Sequence, residues 1–315
     1  MESLRIVFMG TPEFAVGILE AIVQQGLQVV GVITAADKPA GRGQQLKFSA
    51  VKEYALAQGL PLLQPINLKD PDFIAALEAW NANVQVVVAF RMLPEVVWRL
   101  PKLGTFNLHA SLLPQYRGAA PIHWAIINGE TETGVTTFFI DDKIDTGAII
   151  LSKKTVIDTE DNTGSLHDRL MELGKEVVLE TLVRIAQGDV ATVPQIETGE
   201  LKTAYKLNKE NCQLDFHRKG KDVYNQIRGL SPFPTAWCYV VDGEMRWAVK
   251  IYEATFVETQ HSEVVGHWKT TKKEIDIVVP DGYIKIKVLQ FPGKKKMKAQ
   301  EVLNGMHFSP QCRVE

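Results

Sequence analysis

Apolar residues in the first half of this chain fall into two spacings that alternate. Short, nearly continuous apolar runs at 5–9, 27–34 and 84–89 predict strands covered on both faces. Between the first two, Phe14, Ile18, Ala21 and Ile22 recur at helical spacing. Thr11 is placed to cap that helix, with Pro12 at its first position and Glu13 in its first turn. Further strands are expected at 104–108, 135–140 and 148–153, and a long helix over about 164–187. This alternation predicts the α/β class, a mostly parallel, doubly wound sheet.

The pattern changes after Gly188. Residues 189–207 contain Pro194 and Gly199 and carry no sustained period, as a linker would. Beyond them a helix is expected near 220–228, then strands at 237–241, 247–254, 274–279 and 283–289. Asp242-Gly243 and Asp281-Gly282 supply turn signals, and the whole suggests a small β-barrel. The expected domains are therefore 1–188 and 208–315, joined by 189–207.

Length and composition add modest bounds. A chain of 315 residues with 45% hydrophobic and 23% charged content fits a two-domain globular protein. Cys212, Cys238 and Cys312 are too few and too scattered for a zinc pattern or a disulfide framework. With no signal-like apolar stretch after Met1-Glu2-Ser3-Leu4-Arg5, a cytoplasmic location is expected. Charge is unevenly divided. Residues 1–207 hold 18 Lys and Arg against 24 Asp and Glu, while 208–315 hold 17 against 13. A basic second part suits an anionic partner.

The densest chemistry lies in Asn107-Leu108-His109-Ala110-Ser111-Leu112-Leu113-Pro114, running on through Tyr116-Arg117-Gly118-Ala119-Ala120-Pro121. It leaves a predicted strand, and in extended backbone a two-residue spacing sends the Asn107 amide and the His109 imidazole to one side. An amide donor beside a titratable ring suits a reaction in which a carbonyl oxygen gains charge while an amine loses a proton. Asp145-Thr146-Gly147 offers a carboxylate to orient the ring. The turn Gly10-Thr11-Pro12-Glu13-Phe14 argues against a dinucleotide cofactor, because only the first glycine of Gly-x-Gly-x-x-Gly is present. Ligands of open α/β sheets still bind beyond the carboxyl ends of strands, where Asn107, His109 and Phe90-Arg91-Met92-Leu93-Pro94 fall.

Two basic segments remain. The loop 37–47 is glycine-rich and carries Lys38, Arg42 and Lys47. Gly293-Lys294-Lys295-Lys296-Met297-Lys298 is a compact positive run on the basic half. Both suit contact with a phosphate backbone.

Together these runs resemble the folate-dependent formyltransferases, whose signature is Asn-x-His-x-Ser-Leu-Leu-Pro followed by an aromatic residue, Arg-Gly and Pro. Asp145-Thr146-Gly147 matches the family's second motif. The chain is most similar to the branch acting on methionyl-tRNA, through Phe8-Met9-Gly10-Thr11-Pro12-Glu13-Phe14, Pro39-Ala40-Gly41-Arg42-Gly43, the run 227–237 and the lysines. The resemblance implies a Rossmann-like, mostly parallel sheet domain followed by a C-terminal OB-like β-barrel. It implies 10-formyltetrahydrofolate as donor, the α-amino group of methionyl initiator tRNA as acceptor, and no metal.

Within that resemblance Asn107, His109 and Asp145 are the expected catalytic set, with Asp145 fixing the imidazole tautomer. Ser111, Leu112, Leu113 and Pro114 would line the folate site. Arg42 would approach the tRNA acceptor end, and Lys294, Lys295, Lys296 and Lys298 would bind tRNA. Phe90-Arg91-Met92 departs from the small residues often found there in the family. A sugar-nucleotide formyltransferase would share the core and can carry an OB-like domain. A non-catalytic RNA-binding module would need none of the three catalytic residues.

Overall fold

The computed structural model describes residues 2–40 and 45–315, and the chain forms two compact units. One comprises Met1–Gly118, Thr133–Thr155 and His167–Thr203; the other comprises Ala119–Glu132, Val156–Leu166 and Ala204–Glu315. The units thus interleave along the chain rather than meeting at one linker.

In the first unit β1 (Arg5–Gly10), β2 (Gln28–Ile33), β3 (Leu62–Leu63), β4 (Val84–Val88), β5 (Thr105–His109), β6 (Glu132–Phe139) and β7 (Ile149–Val156) form one sheet. Its order is β7-β6-β5-β4-β1-β2-β3. The pairs from β5 through to β3 are parallel, and β6 runs antiparallel to β5. The expected Rossmann-like, mostly parallel sheet is therefore present. Chain order reverses between β1 and β4, the position where such sheets open a crevice for ligands.

Helices cover both faces. On one, α1 (Glu13–Gln24) and the long helix Thr163–Gln187 meet where Gly17 abuts the Met171 side chain. A Cβ at Gly174 would lie 2.8 Å from Leu108 Cδ2, so this helix presses directly on β5. On the other face Val7, Met9, Ile33 and Val87 pack with Phe73 and Leu77 of α3 (Pro71–Ala79) and with Val97. Ile6, Val7, Phe8 and Met9 have no exposed surface, which explains why β1 is apolar at every interior position.

The cap of α1 differs from expectation. Its N-cap is Pro12 with no side-chain capping bond, because Thr11 lies one residue too early for its hydroxyl to reach the first free amides. Two helices that periodicity left unassigned have clear caps. Ser49 accepts a 3.0 Å bond from Lys52 N at α2 (Ala50–Ala57), and Asp70 accepts a 2.9 Å bond from Asp72 N at α3.

In the second unit α4 (Pro121–Ile127) packs on α5 (Gly220–Gly229), where a Cβ at Gly229 would lie 2.6 Å from Ile127 Cγ1. Ile127 belongs to one apolar cluster with Val223, Ile227 and Ile251, which is why 119–132 joins this unit. The strands along the main path of its sheet are β8 (Ala236–Asp242), β9 (Met245–Glu258), β10 (Trp268–Thr270), β11 (Ile275–Val279), β12 (Gly282–Gln290) and β13 (Arg313–Val314), and Met297–Lys298 adds a short seventh on β12. Their order is β10-β11-β12-β9-β8-β13. The two edges meet: Trp268 N donates to Cys312 O at 3.0 Å and Val314 N to Gly266 O at 2.8 Å. The sheet therefore closes as the expected OB-like barrel.

Cys212, Cys238 and Cys312 are free and buried in this unit. Burial pushes the thiols up, Cys312 to about 12. Among the described residues no helix is long and apolar enough to cross a membrane.

Candidate functional site

Strand β5 delivers two of the expected residues to one face. Leu108 is turned toward the long helix, so its neighbours Asn107 and His109 project to the opposite face. Asn107 stands in register with Val87 of β4, at the side of the sheet bearing α3. Its carboxamide makes no hydrogen bond among the described residues.

His109 is the last residue of β5 and is 6% exposed. Its Nε2 lies 2.7 Å from the Tyr116 carbonyl oxygen. A carbonyl only accepts, so Nε2 carries the hydrogen and Nδ1 faces Asp145 Oδ2 at 3.8 Å. The tautomer is thus set by Tyr116, which corrects the role expected of Asp145. At 3.8 Å the carboxylate is an electrostatic partner, not a hydrogen-bond acceptor.

Asp145 has φ of +56°, a left-handed backbone uncommon outside glycine. Its Oδ2 accepts a 2.9 Å bond from Gly118 N, tying it to the loop after β5. Tyr116 (φ +60°), in the loop after β5, and Ala89 (φ +47°), directly after β4, share this conformation. Non-glycine residues held this way gather at functional sites.

The loop following His109 is fixed from beneath. Thr136, paired with His109 on β6, donates to Ser111 O at 2.7 Å and accepts from Leu113 N at 3.3 Å. The Ser111 hydroxyl donates to Gln115 O at 2.6 Å. Ser111 and Leu113 are buried, while Leu112 and Pro114 are partly open. Ser111 therefore shapes the turn, and its hydroxyl is committed to that task.

The stretch expected as a plain linker contributes to the same site. Val193 and Ile149 exchange backbone bonds of 2.9 and 2.8 Å. Gln195 Nε2 donates to Asp145 O and Gly147 O, each at 2.9 Å. Its Oε1 accepts from Arg117 at 2.7 and 3.1 Å, and Arg117 also pairs with Glu197 at 2.6 Å. Nothing in the local sequence around Gln195 signals this, since the contacts span 48 to 78 residues.

Beyond the carboxyl end of β4 lies an open groove of about 890 Å³, lined by Ile66, Leu68, Arg91, Met92, Leu93 and Val96 among others. Arg91 donates to the carbonyls of Pro65 and Ile66, which fixes its guanidinium at the rim. At the root of the 37–47 loop, the Asp37 carboxylate is held below its usual range by Lys52 first and Gln64 next. Arg42 lies outside the described residues. In the second unit Lys294, Lys295, Lys296 and Lys298 are exposed, with Lys296 also 3.7 Å from Glu253. No group of three or more acidic, His or Cys side chains able to hold a metal occurs among the described residues.

An amide without a hydrogen bond among the described residues and an imidazole share one strand face, and a carboxylate stands 3.8 Å from the ring, a combination whose chemistry suits acyl transfer to an amine. Sequence comparison agrees with that geometry: the formyl transferase profile matches residues 4–182, and the formyl transferase C-terminal domain matches 206–307. The chain belongs to the formyl transferase family. Its relatives include the methionyl-tRNA formyltransferases of Flavobacterium johnsoniae, 61% identical over 314 residues, and Flavobacterium psychrophilum, 63% identical over 315, each with 100% of both chains covered. Among solved structures, the N-formyltransferase of Helicobacter canadensis in complex with folinic acid and dTDP-3-aminofucose aligns at TM-score 0.64 and 21% identity. It covers 93% of this chain and 100% of its own, a likeness of fold.

Proposed function

We infer that this chain transfers a formyl group from 10-formyltetrahydrofolate to the α-amino group of methionyl initiator tRNA, the step that prepares it for translation initiation. The observation that carries this reading is the Asn107, His109 and Asp145 set at the end of β5 and in the loop facing it. Full-length identity above 60% to methionyl-tRNA formyltransferases supports the choice of acceptor.

The chemistry follows from the residues. Free α-amino groups have a pKa of about 7.7–8.0, so a useful fraction of the acceptor is neutral near pH 7. Attack forms the new C–N bond and places negative charge on the formyl oxygen. Asn107, whose carboxamide makes no hydrogen bond among the described residues, donates to that oxygen. His109 keeps Nε2 on the Tyr116 carbonyl, so Nδ1, 3.8 Å from the Asp145 carboxylate, is the nitrogen that takes up and gives back a proton. The proton lost by the amine passes to N10 of the folate as the C–N10 bond breaks, with the His109–Asp145 pair as relay.

The groove beside Arg91 has the features a folate donor requires: apolar walls for flat rings and a cation at the rim for a carboxylate tail. Leu112 and Pro114 would bound the donor from the side of the signature loop. Arg42 and the lysines at 294–298 would meet tRNA phosphates.

The deciding experiment offers methionyl initiator tRNA and a UDP-aminosugar in parallel with 10-formyltetrahydrofolate. Formylation of the tRNA alone is expected. Transfer to the sugar alone would remove the tRNA assignment and leave the catalytic set standing.

A further inference from the structure

The segment 193–197 crosses the site without offering it a reactive group, and its one inward-facing amide is fully used. Gln195 Nε2 has two hydrogens, and both go to carbonyl oxygens, those of Asp145 and Gly147 at 2.9 Å. Gln195 Oε1 has two lone pairs, and Arg117 occupies both with Nε at 3.1 Å and a terminal nitrogen at 2.7 Å. Carbonyls only accept and a guanidinium only donates, so the amide has one possible orientation. Turning it over would oppose four like groups.

What this amide holds is the turn that carries the Asp145 carboxylate. Asp145 sits at φ +56°, a conformation that needs external support in a residue bearing a Cβ. Two residues on, Gly147 is pressed so closely on β6 that a Cβ would lie 1.6 Å from Phe139 O. Gln195 bridges the carbonyls at both positions and so fixes the peptide planes between them. The carboxylate then stands where Gly118 N reaches it at 2.9 Å and His109 Nδ1 at 3.8 Å. The Val193–Ile149 backbone bonds hold the clamp's own chain in place.

We propose that Gln195 is a positioning residue for catalysis, acting through Asp145 and locked in orientation by Arg117. It rests on the reading of Asn107, His109 and Asp145 as the catalytic set. The segment expected as a linker is, on this view, a structural arm of the catalytic site.

The test is a double-mutant cycle between positions 195 and 145, read as kcat with whichever acceptor the wild-type enzyme formylates. Gln195→Met keeps the volume and removes all four bonds; it is expected to lower kcat roughly 10-fold, the scale seen when groups supporting a site residue are lost. KM for the folate donor should stay close to wild type, and kcat is compared well below the thermal midpoint of each variant, since losing four part-buried bonds also lowers stability. In an Asp145→Asn background the same substitution should cost no more than about 2-fold, because its effect passes through the carboxylate.

Gln195→Glu supplies a second arm, since it still accepts from Arg117 but offers no hydrogen to the two carbonyls. It should lose activity as Gln195→Met does. Wild-type kcat in Gln195→Met or Gln195→Glu would overturn the proposal, as would equal losses in both backgrounds. Full activity of Asp145→Asn would overturn it together with the site reading. A wild-type enzyme that ignores tRNA would sink only the acceptor assignment.

Discussion

In the sheet unit the groups assigned to chemistry stand at strand ends, on backbone held by long-range side-chain bonds: Tyr116 O to His109, Gly118 N to Asp145, Gln195 to Asp145 and Gly147. In the barrel unit the charges assigned to tRNA are exposed outside an apolar core, Lys294, Lys295 and Lys296 in a turn and Lys298 in the short strand that follows it and pairs with β12. The first surface is made precise by tertiary contacts. The second needs only a stable scaffold beneath it. Substitutions should therefore separate the two, with loss of rate in the sheet unit, and loss of stability or of tRNA use in the barrel.

The largest effect is expected at His109. His109→Ala should reduce kcat by on the order of 10³-fold with the fold intact, as loss of a positioned acid–base group does. Asn107→Ala should follow at on the order of 10²-fold. Steady-state kinetics on both checks this, and near-normal turnover in either would strike that residue from the set.

Next comes the barrel interior. Ile277 has no exposed surface, and Ile277→Ala should cost about 2–4 kcal/mol in denaturant unfolding. If the comparison holds, catalytic-strand variants will show no such loss. Replacing Lys294, Lys295 and Lys298 together by Ala should raise KM for tRNA and leave KM for folate alone. The salt dependence of tRNA use should become shallower by roughly one unit of log–log slope per lost phosphate contact. An unchanged slope would mean the turn does not meet tRNA.

The smallest effect concerns the thiols. Burial raises all three, so near pH 8 a thiol reagent should label none of them in the native protein and three after unfolding. The raised folded-state values also set a sign. Between the ordinary thiol range and about 12 for Cys312, the unfolded chain loses protons that the folded chain keeps. Stability should therefore fall as pH rises through that window, and Cys312→Ala should flatten the fall.

How much of this was legible in the sequence depended on the range of the interaction. β1, β4, the long helix and four barrel strands, β8, β9, β11 and β12, follow from local apolar spacing and are found within a few residues of expectation, whereas the short closing strands β10 and β13 fall outside it. Asn107 and His109 were legible because one strand carries both. The α2 and α3 caps could have been found from Ser49 and from Asp70-Pro71, whose side chains and ring geometry mark helix starts. Tyr116 as the setter of the tautomer, and Gln195 beside Asp145, leave no local trace. A backbone carbonyl has no residue signature, and a glutamine in a polar, Pro- and Gly-containing stretch resembles any other surface residue.

The meeting of β10 and β13 along Gly266–Trp268 and Cys312–Val314 has a consequence for recognition. An open sheet advertises unpaired amides and carbonyls along its rim, and a foreign peptide can dock there by extending the sheet. Along Gly266–Trp268 and Cys312–Val314 those groups are taken up by the chain's own hydrogen bonds. Strand addition is closed off at that seam, so the tRNA proposed as partner would be met there by side chains on the outer wall.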